Sequence, residues 1–108
     1  MRRAAPALLA AALLAGTVQA QDGGVEAGRH KARACAVCHG PLGLASQPDA
    51  PHLAGQSAVY LTTQLKAYRS GARRHEVMSL MARSLSDEDI AQLAAWFASI
   101  RVEAREPP

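Results

Sequence analysis

At 108 residues the chain suffices for one small domain, and its 12 Lys and Arg against 9 Asp and Glu give a formal net charge of +3. Apolar residues make up 49% of it, yet with 1 Trp, 2 Tyr and 1 Phe any core built from side chains alone is thin. Apart from the short Arg73-Arg74-His75 trio, which reads as a solvated loop, no basic run argues for nucleic acid.

Met1 to Ala20 reads as an export leader rather than as part of the fold. Arg2 and Arg3 form its basic start, Ala7 to Ala15 is a short Ala/Leu run, and Val18-Gln19-Ala20 offers a cleavage site. The run falls far short of the ~20 residues that span a bilayer. Neither a full twin-arginine pattern nor a cysteine for a lipid anchor accompanies it. Cleavage after Ala20 leaves a single domain over 21–108, with ten basic side chains facing nine acidic ones. The expected product is a periplasmic, soluble and nearly neutral protein without a membrane span.

Val25, Gly28, Ala32 and Cys35 recur at helical spacing, which predicts a helix over 25–36, with Asp22 as a candidate cap. Gly28 costs roughly 1 kcal/mol against Ala inside a helix. A close approach by another helix would account for it.

At the end of that helix stands Cys35-Ala36-Val37-Cys38-His39. Positions i, i+3 and i+4 of a helical turn share one face. Two thiols and an imidazole pointing the same way make the C-x-x-C-H pattern of a c-type haem attachment site. The thiols add to two vinyl groups along one haem edge, while the imidazole reaches the iron. A disulfide between Cys35 and Cys38 would close too small a loop to stabilise much. A zinc site needs four ligands and a thioredoxin-like dithiol needs a βαβ setting, and the sequence offers neither.

From Gly40 to Gly55 the chain is a Pro- and Gly-rich loop carrying Pro48, Pro51, His52 and Leu53. Ser57 then reads as an N-cap, with Ala58, Leu61, Leu65 and Tyr68 as the apolar stripe of a second helix ended by Gly71; Thr62, Lys66 and Arg69 form its wet side. A short third helix is predicted over 77–84. Ser86 with Asp89 three residues on is an Asp variant of the capping box, and Ile90, Leu93, Phe97 and Ile100 mark the buried stripe of the fourth helix, with Trp96 beside it. The tail from Arg101 is polar and expected to fray. The pattern is all-α, with about four helices around one covalently attached haem.

A haem held by His39 leaves its opposite axial position open, and a thioether there raises the reduction potential. Met78 and Met81 are the candidates downstream. His30, His52 and His75 read as surface or loop residues.

The mature chain resembles a class I cytochrome c, the small bacterial one-haem kind related to each half of the di-haem cytochromes. The likeness runs through Gly28 and Cys35 to Gly40, then Pro51-His52-Leu53-Ala54-Gly55-Gln56, then Tyr60-Leu61, Gln64-Leu65, Tyr68 and Gly71-Ala72-Arg73. It continues through Met78 to Leu85-Ser86-Asp87 and Leu93-Ala94-Ala95-Trp96-Phe97. The resemblance implies that Met78 is the sixth ligand, standing seven residues before Leu85, with Met81 as a packing residue. It implies that the carbonyl of Pro51 accepts from the ring N–H of His39, and that Trp96 packs near Gly28 where the first and last helices cross. Between Arg73 and Met78 the chain is shorter than many relatives; Arg73 matches either a haem-propionate partner or a solvent-facing side chain.

The function implied is electron transfer, not enzymatic catalysis, with transient and unidentified redox proteins as partners. The alternatives are a haem-containing subunit of a larger redox enzyme, or a ligand-binding or catalytic haem domain whose sixth site is labile.

Overall fold

The computed structural model describes Met1 and residues 20–108, which form helices and turns without a strand. Most of the expected leader thus lies outside the described residues. None of the described helices is long and apolar enough to cross a membrane.

The helices are α1 (Ala20–Lys31), α2 (Ala36–His39), α3 (Ala58–Ser70), α4 (Glu76–Ala82) and α5 (Asp87–Ser99), with a 3₁₀ turn at Ala32–Ala34. The helix expected over 25–36 is therefore three pieces. It starts earlier, with Asp22 inside α1 rather than capping it. It then tightens where the Cys35 N–H turns back to the Ala32 carbonyl at 2.9 Å before α2 begins.

The later boundaries follow from local chemistry. The Ser57 hydroxyl accepts from the Tyr60 N–H, and Gly71 ends α3 in the left-handed region at φ +84°, which a side chain would disfavour. Ser86 and Asp89 close a reciprocal capping box: the Asp89 N–H donates to the Ser86 hydroxyl at 3.0 Å, and the Ser86 N–H donates to the Asp89 carboxylate at 2.9 Å.

The most extensive packing is between α1 and α5, followed by α3 on α5. Gly28 is buried at the first of these crossings. A Cβ there would overlap the Gln92 carbonyl and stand 2.9 Å from the Trp96 Cβ, so the close approach expected of Gly28 is real. Ala32, Leu61, Leu93, Ala94 and Phe97 form the core, and Ile90 is the one large side chain fully buried among the described residues.

Arg69 departs from its expected place on the wet face. Its guanidinium donates to the Leu85 carbonyl at 2.9 Å and to the Asp87 carboxylate at 2.6 Å, tying α3 to the start of α5. Lys31 makes the matching tie from α1, 2.7 Å from Asp89. The Lys31 ammonium, with the Ser86 bonds, holds the Asp89 carboxyl down at about 2. The folded value lies below the unfolded one, so this contribution is complete above pH of about 4 and disappears as pH falls through about 2. Asp89→Asn should lower the melting temperature at neutral pH and flatten its decline over that acid window, as read by thermal unfolding under circular dichroism.

Candidate functional site

The single turn from Cys35 to His39 is closed by the His39 N–H donating to the Cys35 carbonyl at 2.9 Å. One turn of this pitch puts Cys35, Cys38 and His39 on a common face. Both thiols are free and half-buried, and burial pushes the Cys35 thiol up. His39 is 6% exposed, the one buried polar or charged side chain among the described residues.

A buried imidazole needs a partner, and Pro51 supplies it: Nδ1–H of His39 donates to the Pro51 carbonyl at 2.8 Å. That bond fixes the tautomer, leaving the Nε2 lone pair for a metal and making it a stronger donor. The loop is braced to keep the carbonyl in place. The N–H groups of Leu53 and Ala54 donate to the Gly43 carbonyl at 2.7 and 3.0 Å, and the Ala45 N–H donates to His52 Nδ1 at 2.7 Å. The Gly55 N–H reaches the Phe97 carbonyl of α5 at 2.9 Å.

Met78 lies half-buried on α4, one turn before the buried Ala82, and α4 packs on α3. Met81 is 42% exposed. Of the two methionines, Met78 is the one directed inward. The helix that carries it is fixed by a residue expected to be a bland loop histidine. His75 caps α4, its Nδ1 accepting from the N–H groups of Val77 and Met78 at 3.2 Å each, while its own N–H donates to the Ser79 hydroxyl at 3.0 Å. His75→Ala should cost about 1 kcal/mol in denaturant unfolding, and His75→Asn, which keeps an acceptor, should recover most of it. His30 is exposed beside Glu26 at 3.3 Å. Arg73 lies over the Tyr68 ring at 4.6 Å and donates to Gln64 at 2.8 Å.

The structure thus brings Cys35, Cys38, His39 and Pro51 into one cluster and presents Met78 from a separate helix. Leu53, Leu65, Leu85 and Cys35 pack half-buried against the core, an apolar lining suited to a flat macrocycle. Among the described residues no three His, Cys, Asp or Glu side chains converge on one metal position. Sequence reasoning missed the cap at His75 and the tie at Arg69. Ser79, four residues after His75, was the only local sign of the first.

A family model described as cytochrome c matches residues 25–101. Cytochrome c-554(548) of Halomonas halodenitrificans is 46% identical over 80 residues, covering 71% of this chain and 96% of its own. The thiosulfate dehydrogenase electron acceptor of Stutzerimonas stutzeri is 44% identical over 69 residues, covering 61% of this chain but 32% of its own. The crystal structure of reduced recombinant cytochrome c4 from Pseudomonas stutzeri matches with a TM-score of 0.70 at 26% identity, over 74% of this chain and 50% of its own. The chain therefore spans nearly the whole of the first relative and half or less of the other two.

Proposed function

The chain belongs to the cytochrome c family, the electron-transfer proteins that carry covalently bound haem c, and from that premise we propose a periplasmic, one-haem electron carrier with His39 and Met78 as axial ligands. The observation that carries this is the buried His39 ring, held by the Pro51 carbonyl on the same turn as two free thiols.

Bound haem supplies an iron that accepts and returns one electron without exchanging ligands. Cys35 and Cys38 would hold its edge and His39 Nε2 would bind the iron, while Pro51 orients the imidazole and enriches its donor nitrogen. The Met78 sulfur, a soft and weaker donor, favours the reduced state. Burial of His39 excludes water from its side, and the braced 43–55 loop keeps the imidazole in the same place in both oxidation states. Partners meet the protein briefly, as small interfaces of this type do. The name of the Stutzerimonas relative supports a dehydrogenase as one electron source.

The test is an anaerobic redox titration of the exported protein with carbon monoxide offered to its reduced form. A single reversible one-electron transition with no uptake of carbon monoxide is expected. Ready uptake by the native protein would replace the carrier with a haem domain whose sixth site is labile.

A further inference from the structure

The segment from Lys66 to Arg83 concentrates charge. It holds Lys66, Arg69, Arg73, Arg74 and Arg83 against a lone acid, Glu76. Tyr68, Arg69, Arg74, Glu76, Leu80 and Arg83 line one open cleft between the end of α3 and α4. Arg69 is committed inward to Leu85 and Asp87. Lys66, Arg73, Arg74 and Arg83 are different: among the described residues none has a carboxylate within ion-pair distance. Arg73 is nonetheless held, over Tyr68 and on Gln64. Ordering such a side chain without an acid partner keeps its charge available.

A merely solvated face is typically rich in Lys and Glu. This cleft pairs arginines with Tyr68 and with Leu80, which is 62% exposed, and Arg, aromatic and exposed apolar residues together make up protein contact surfaces. Its position bears on electron transfer. Ser79, next to Met78, also lines the cleft, so a molecule seated there lies within roughly one helix width, about 10–12 Å, of the Met78 backbone.

We propose that this cleft docks a redox protein whose own electron-exchange site is ringed by carboxylates. The inference rests on the electron-carrier reading and adds the chemistry of the partner and its landing place. In the docked pair one electron would pass between the partner's redox centre and the haem that Cys35, Cys38 and His39 would hold, one centre being oxidised as the other is reduced; no atom is transferred. Tyr68 and exposed Leu80 beside the arginines suit a folded protein surface, which offers apolar contacts along with its carboxylates, better than the phosphate plane of an anionic membrane.

The test uses the haem-loaded protein. Its reduced form is oxidised by hexacyanoferrate(III), a one-electron acceptor, with and without polyglutamate as an acidic-surface mimic. At about 10 mM salt, Arg74→Glu/Arg83→Glu should slow the reaction at least ~5-fold and abolish competition by polyglutamate. At about 0.5 M salt the difference should vanish. Arg101→Glu/Arg105→Glu, an equal charge change in the exposed tail, should alter the rate less than ~2-fold. If the reversal disturbs folding, Arg74→Gln/Arg83→Gln should give about half the logarithmic effect. Equal slowing by the tail variant would overturn the proposal in favour of net charge. Sedimentation of the wild-type protein with phosphatidylglycerol vesicles, lost in Arg74→Glu/Arg83→Glu, would overturn it in favour of a lipid surface. Failure of the wild-type protein to exchange any electron would instead strike the carrier reading itself.

Discussion

Met78→Ala is expected to leave the haem attached and change how it behaves. The thiols of Cys35 and Cys38 are unaffected, so covalent loading persists. The oxidised protein should lose the weak red absorption band of an iron–thioether bond, and the reduced protein should begin to bind carbon monoxide. The reduction potential should fall by on the order of 0.1 V or more, well inside the ~0.8 V over which axial ligands set haem potentials. Met81→Ala should change none of these. The contrast follows from α4, whose inward side carries Met78 and Ala82 while Met81 stands 42% exposed. If Met81→Ala produced the spectral change and Met78→Ala did not, the ligand assignment would pass to the other sulfur.

Gly28→Val should destabilise the protein more than loss of the His75 cap or of the Asp89 carboxylate. The α1–α5 crossing is the most extensive contact in the fold, and the new side chain would overlap the Gln92 carbonyl and crowd Trp96. Backbone cannot yield as a flexible side chain does, so the helices must separate. A cost of about 3 kcal/mol or more is expected, equivalent to a fall of roughly 12 °C or more in Tm for a domain of this size. Gly24→Ala is the matched control, in the same helix with nothing within 4 Å of the added carbon. It should stabilise by about 0.5–1 kcal/mol through helix propensity alone. Thermal unfolding of both variants separates close packing from a general intolerance of α1 to substitution.

What the sequence made legible was chemistry confined to a few neighbouring residues. Ser57 and the Ser86–Asp89 box are caps whose partners lie three positions away, Gly71 ends α3 through its own left-handed backbone, and each forms as expected. Cys35, Cys38 and His39 share one turn, so their common face could be read directly. The bond from His39 to Pro51 spans twelve residues and was reached only through family resemblance. Arg69 was misplaced because its partners, Leu85 and Asp87, are distant in the chain and look like ordinary helix-start residues. The first helix was misjudged at both ends. Asp22, expected as a cap, lies within α1, and the tight 3₁₀ turn at Ala32–Ala34 leaves the apolar spacing intact while interrupting the helix. His75 escaped because imidazole is an uncommon cap, although its Nδ1 serves as well as a Ser or Asp oxygen when unprotonated.

The proposed electron transfer depends on haem held by thioether bonds from Cys35 and Cys38, and intact-mass spectrometry of the protein as the cell produces it tests that most directly. The predicted result is a mature chain heavier by the mass of one haem, with neither cysteine open to alkylation. A chain carrying no haem, with both thiols alkylated or joined in a disulfide, would contradict it.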